Sequence, residues 1–250
     1  MFKEYGELST KLYEHTKPVG YSIDGDIEYY YEKLKNLTGR VLEAGVGTGR
    51  MLIPFIKNGI TIDGVDISAK MLAQCKINMK KYNVTADLYE QDLITLSLPH
   101  KYDAIIMPTG SFYLLPREHA QEVLALFYNH LNVDGKIIID LEMPSHFKEG
   151  VVGTSSFPIS NDTGILLSGV NGKIDWREQK ISSISKYELI ENGEVIKTEL
   201  SNFTLYWYGI FEFEMRLALL GYKNIEYEVG YGNGQSEIIT FTAFKANADS

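Results

Sequence analysis

The chain has 250 residues, 44% hydrophobic and 23% charged, the proportions of an ordinary globular protein rather than a disordered or fibrous one. A net charge of −9, with no basic cluster denser than Lys80-Lys81, argues against nucleic-acid partners, because neutralising phosphates takes a basic surface. The single Cys75 excludes an intramolecular disulfide, Met1-Phe2-Lys3-Glu4-Tyr5 lacks the apolar core of a signal peptide, and no run of about 18 apolar residues offers a membrane span; a cytoplasmic protein is expected.

Residues 1–37 are rich in tyrosine (Tyr5, Tyr13, Tyr21, Tyr29, Tyr30, Tyr31) and read as a helical N-terminal segment. A strand near 40–44 runs through Glu43 into Gly45-Val46-Gly47-Thr48-Gly49, and a helix near 49–58 follows at once. Strand, glycine turn and helix form the nucleotide-binding corner of an α/β sheet. Gly45 and Gly47 fit the first two positions of the dinucleotide pattern G-x-G-x-x-G, but Arg50 occupies the third and Gly49 comes one residue early. The Glu43 carboxylate would repel a pyrophosphate and attract a cation. Both features disfavour a nicotinamide coenzyme.

A second strand, 61–65, ends in Asp66-Ile67-Ser68. Asp66 stands about 20 residues beyond the first glycine, where a carboxylate can accept from ribose hydroxyls, and Ser68 can cap the helix over 68–82. Strands near 85–89, 103–107 and 137–141 and a helix near 117–131 complete the alternation. Between 145 and 207, Asn171-Gly172 and Asn192-Gly193 are hairpin signals. They predict a three-stranded antiparallel meander over 164–170, 173–190 and 195–207, with Ile174 and Trp176 sharing a face with Phe203, Leu205 and Trp207. A helix over 211–220, strands over 224–229 and 237–245 and a frayed tail over 246–250 close the chain.

Glu43–Gly49 and Gly64–Ser68 resemble the first two motifs of the class I S-adenosylmethionine-dependent methyltransferases. Glu90-Gln91-Asp92-Leu93 resembles the family's adenine-contacting motif, Tyr102–Met107 its fourth strand and Asp134–Ile139 its turn into the fifth. The resemblance covers about 38–142 and resumes at the C-terminal strands. It implies an α/β fold, a doubly wound Rossmann-like seven-stranded sheet of order 3-2-1-4-5-7-6 with an inserted antiparallel β-meander. The expected organisation is a helical cover over 1–37, a core of 38–144 and 208–246, and a β lid or acceptor-binding subdomain over 145–207.

The cofactor so implied is S-adenosyl-L-methionine. Gly45, Gly47 and Gly49 would let the backbone approach its methionyl part, with Glu43 near the ammonium and the Met107 carbonyl at the amino-acid end. Asp66 would accept from the ribose hydroxyls and Ile67 pack on the adenine, while Asp92 meets the exocyclic amine and Leu93 offers its amide to the ring. Tyr13 and Tyr21 are the N-terminal aromatics available to a sulfonium. Base-amine methyltransferases usually carry Asp/Asn-Pro-Pro-aromatic after strand four, where this chain has Met107-Pro108-Thr109-Gly110; a small-molecule acceptor is expected, with its O, N, S or C atom left open. Asp140, Glu142, His146 and Tyr113 are candidate bases, and none is assigned as catalytic. Five scattered histidines give no metal pattern. A non-catalytic cofactor-binding sensor and, less favoured, a nicotinamide oxidoreductase are the alternatives; a homodimer is compatible with the sequence.

Overall fold

The computed structural model describes residues 5–232, 234 and 236–246, so Met1–Glu4 and most of the expected tail lie outside the described residues. Contacts divide the chain into two units: residues up to Pro18 join Pro144–Tyr206, and Val19–Met143 join the residues from Trp207 onward. The stretch 1–37, read above as one cover, is therefore shared between them. In chain order α1 (Glu7–Thr16) belongs to the first unit, and α2 (Asp26–Leu34) opens the second. There β1 (Arg40–Ala44), α3 (Leu52–Lys57), β2 (Thr61–Asp66), α4 (Ala69–Tyr82), β3 (Leu88–Glu90), β4 (Tyr102–Met107), α5 (Ala120–His130) and β5 (Leu131–Leu141) alternate. The first unit then takes β6 (Val152–Pro158), β7 (Thr163–Asp175), β8 (Lys180–Glu191) and β9 (Glu194–Tyr206). The second ends with α6 (Ile210–Leu219), β10 (Tyr222–Val229) and β11 (Ile239–Lys245).

In the second unit seven strands lie in the order β3-β2-β1-β4-β5-β11-β10. The first five are parallel, and β11 runs antiparallel to both β5 and β10. Numbered within this sheet the order is 3-2-1-4-5-7-6, as expected. Val41, Leu42, Ala44, Ala104–Met107 and Ile137–Ile139 are buried, so these strands read as continuous apolar runs, the mark of a sheet covered on both faces. β5 begins earlier than predicted: Leu131 pairs with Tyr102 and Lys136 with Ala104, and the residues between loop out around Asp134, whose φ is +60°. Among the described residues no helix is long and apolar enough to cross a membrane.

The first unit is a four-stranded antiparallel sheet, β6-β7-β8-β9, rather than the predicted three-stranded meander. Asn192 and Gly193 (φ +51° and +83°) do turn β8 into β9, as a two-residue hairpin loop requires. Asn171-Gly172 does not turn. It lies inside β7 at a register irregularity, where a Cβ on Gly172 would stand 2.4 Å from Ser182 Oγ. The hairpin falls instead after Asp175, whose carboxylate accepts from the Arg177 and Glu178 N–H groups (3.1 and 3.0 Å), an Asx turn that needs no glycine. β6 escaped the sequence reading because Val152–Pro158 is mostly glycine, threonine and serine, with no apolar alternation. Ile174, Ile181 and Leu205 form one cross-strand row and Phe203 shares its face, but Trp176 sits exposed in the turn and Trp207 is buried in the second unit.

α1 packs on one face of that sheet, Leu8 and Leu12 meeting Ile165 and Tyr187. Glu199 of β9 accepts from Leu8 N (2.9 Å), Ser9 N (3.1 Å) and Ser9 Oγ (2.7 Å), capping from another strand the N–H groups a helix leaves unpaired.

Candidate functional site

Beyond β1 the chain folds across the end of β2. Gly45 N and Val46 N both donate to Val65 O (2.8 and 3.0 Å), and Gly47 N donates to Asp66 Oδ2 at 2.9 Å. The other Asp66 oxygen accepts from Ser68 N at 2.8 Å, leaving the Ser68 hydroxyl to cap α4 through Met71 N. Gly47 and Gly49 have φ of +54° and +82°. No atom lies within 4 Å of where a Cβ on Gly47 would stand, so one side of the turn is open to a ligand. Gly49 serves close packing instead, since its Cβ would meet Cys75 Sγ of α4 at 2.7 Å. A Cβ on Gly45 would meet Ser111 Oγ at 2.8 Å, which puts the loop after β4 against the turn.

Glu43 is buried at the carboxyl end of β1, and its Oε2 has no hydrogen-bond partner among the described residues. Burial pushes its pKa up to about 8; Arg50 and the Leu52 N–H oppose the rise, and Asp26 and Asp66 add to it. Arg50 is itself buried and committed. It forks Asp26 (Nη2–Oδ2 2.5 Å, Nη1–Oδ1 3.2 Å), donates to Tyr21 O at 2.7 Å and donates to Thr109 Oγ1 at 3.0 Å. The residue that displaces the dinucleotide glycine thus ties the start of α2 to the loop after β4. Sequence reasoning missed this role, because a charge pair 24 positions apart follows no helical or strand period.

The remaining expected site residues fall at the carboxyl ends of the same neighbouring strands. Ile67 is 63% exposed beside Asp66, and Met107 is buried at the end of β4. Gln91 N donates to Asp66 O at 3.2 Å, which brings the segment after β3 to the end of β2. There Asp92 caps the short turn Leu93–Thr95 through Ile94 N (3.0 Å). The two aromatics part: Tyr13 packs edge-on against Tyr5 in the first unit, while Tyr21 is half-exposed in the second.

A family model described as a methyltransferase domain matches residues 41–135, from the first strand to the turn inside β5. Residues 41–135 are thus similar to a methyltransferase domain, and the sheet around them has the strand order that this resemblance implies. A relative named as a methyltransferase in Geobacillus sp. (strain WCH70) is 28% identical over 127 residues, 50% of this chain and 51% of its own. A glycine/sarcosine N-methyltransferase of Aphanothece halophytica is 32% identical over 117 residues, 45% of this chain and 44% of its own. The chain spans about half the length of these curated relatives. A crystal structure of an S-adenosylmethionine-dependent methyltransferase from Clostridium acetobutylicum ATCC 824 superposes with TM-score 0.77 over 95% of this chain and 97% of that one, at 17% identity. The sugar N-methyltransferase KedS8 from Streptoalloteichus sp. ATCC 53650 gives 0.79 over 99% and 96%, at 16% identity. At such identities the superpositions establish the fold.

Within the matched region and its flanks the four candidate bases differ sharply. Asp140 is fully buried and accepts four hydrogen bonds, which fill the lone-pair positions of a carboxylate and leave none for a substrate proton. Tyr113 is buried, with no hydrogen-bond partner for its hydroxyl among the described residues. Glu142 and His146 are exposed, and His146 belongs to the first unit.

One cluster of metal-ligand residue types, Asp63, Asp87 and His100, occurs among the described residues. Asp63 and Asp87 line an open groove of about 470 Å³ together with Arg40 and Thr61, which stand at the starts of β1 and β2, away from the carboxyl ends of the strands. Arg40 Nη1 reaches both Asp63 oxygens (2.7 and 2.9 Å) and Tyr102 donates to one (3.2 Å), so this carboxylate already has its cation.

Proposed function

We propose that this chain is an S-adenosylmethionine-dependent methyltransferase whose acceptor is an amine on a small molecule. The observation that carries the cofactor reading is the buried, unpartnered Glu43 Oε2 at the carboxyl end of β1, where the chain enters the glycine turn. A buried polar atom without a partner is costly, and an ammonium group would satisfy it. Gly45 and Gly47 admit the methionyl part, Asp66 receives the ribose, Ile67 covers the adenine face, and the Asp92-Leu93 turn meets its edge. Glu43 and the Met107 carbonyl hold the amino-acid end. When bound, the sulfonium supplies an electrophilic methyl and a neutral thioether leaving group. The chain's task is then to orient a nucleophile in line and exclude water, which is worth on the order of 7–11 kcal/mol. An amine that arrives unprotonated needs no general base for the transfer itself, in keeping with the closed shell of Asp140.

The amine is supported by the glycine/sarcosine N-methyltransferase relatives and by the sugar N-methyltransferase of like fold. The test has two stages. Titration calorimetry should show S-adenosylhomocysteine binding and no NAD binding; the reverse would overturn the cofactor. A labelled-methyl assay across amino acids and amino sugars should then give N-methyl products. Transfer only to hydroxyl or thiol acceptors would overturn the amine.

A further inference from the structure

The loop after β4 carries two consecutive left-handed residues, Thr109 (φ +46°) and Gly110 (φ +79°). For glycine this is easy. For a β-branched threonine it is strained, and such strain persists only where surrounding bonds enforce it. Two bonds do so here. Thr109 N donates to Asp140 Oδ2 at 2.7 Å, and Thr109 Oγ1 accepts from Arg50 at 3.0 Å. Asp140 is fully buried, without a cation among its hydrogen-bond partners. Its oxygens take Tyr30 OH (2.8 Å) and Thr240 Oγ1 (2.7 Å) on Oδ1, and Tyr231 OH (2.6 Å) beside Thr109 N on Oδ2. Tyr231 is left-handed too, with φ +52°. Both strained backbones therefore hang on one carboxylate oxygen, and through Thr109 it connects to the Arg50–Asp26 pair beside Glu43.

We propose that Asp140 is a positioning residue: by holding Thr109 left-handed it fixes the β4 loop and, through Arg50, the amino-acid end of the cofactor site. The inference rests on the proposed function, because cofactor affinity is its readout. Asp140→Ala removes all four bonds and should weaken S-adenosylhomocysteine binding about tenfold or more, the scale of one lost charge-assisted hydrogen bond. Asp140→Asn keeps an acceptor for Thr109 N and should restore most of that affinity. Tyr30→Phe removes one donor on the other oxygen; it should lower the melting temperature and leave the affinity unchanged. Thr109→Gly suits the backbone, frees the loop from Arg50 and should fold; it should weaken binding as Asp140→Ala does.

If Asp140→Ala and Tyr30→Phe both lower the melting temperature while neither changes affinity, Asp140 only packs the core and the inference fails. Should Asp140→Ala not fold, wild-type affinity in Thr109→Gly overturns the inference equally. Absence of binding by the wild-type protein would remove the proposed function first, and this inference with it.

Discussion

Glu43 occupies a place where a carboxylate ionises with difficulty, its pKa raised by burial to about 8, so at neutral pH the free site holds it mostly protonated. An ammonium brought against it favours the ionised form, and binding must then release a proton. Cofactor affinity is accordingly expected to rise as pH climbs toward about 8 and to fall again once the ligand's ammonium loses its proton. Calorimetry in buffers of different ionisation heat should register that proton for the wild type and none for Glu43→Gln; wild-type binding without proton release would count against the assignment. Folding shows the opposite sign. With the folded pKa raised above the unfolded value of about 4.3, this group's contribution to stability is full below that value and lost as pH rises toward the folded one. The position of Glu43 was legible, because spacing from a glycine turn fixes where a strand ends. Its missing partner was not, since that depends on Arg50 being drawn to Asp26 by a fold the spacing does not encode. Asp66 shows a milder form of the same gap. Its carboxylate already holds Gly47 N and Ser68 N, so Asp66→Ala would loosen the turn as well as remove a ribose partner.

At the scale of elements, α1 depends on a residue nearly two hundred positions away. Burial alone would push the Glu199 pKa up, but hydrogen bonds from Leu8 N, from the Ser9 side chain and backbone and from Glu7 N bring it below the usual carboxylate value. A depressed folded pKa stabilises above the unfolded value of about 4.3 and is lost as pH falls through the folded one. Amide exchange in α1 should therefore quicken below about pH 4 while exchange in β8 is still slow, and Glu199→Gln should show fast α1 exchange already at pH 7. Equal protection of α1 in that variant would deny Glu199 its capping role. The parallel strands were readable because burial on both faces leaves unbroken apolar runs such as Ile137-Ile138-Ile139. The hairpins were not, because two turn chemistries compete between 171 and 179. Asn-Gly offers positive φ, but the Asp175 carboxylate accepts from two backbone N–H groups, and β7 keeps its pairing with β8 past Gly172.

For the molecule as a whole, the division at Pro18 and Pro144 means that the smaller unit is assembled from two distant stretches of chain. Its apolar core is modest, with Leu8, Leu12, Ile165 and Tyr187 as the buried members. Leu8→Ala should cost about 2–5 kcal/mol, the usual range for truncating a buried leucine, and hydrogen exchange should rise first in β7 and β8. A rise beginning in β1 or β4 would show that this helix supports the other sheet instead. The separation has a further consequence during biosynthesis. Leu8 meets Glu199 across 191 positions, and a ribosome adding about 5–20 residues per second needs roughly ten to forty seconds to deliver that glutamate after the leucine. A ten-residue segment is too short to hold a helix by itself in water. α1 is thus translated long before the strands that fix it, and its two leucines must wait, unburied, for strands not yet made.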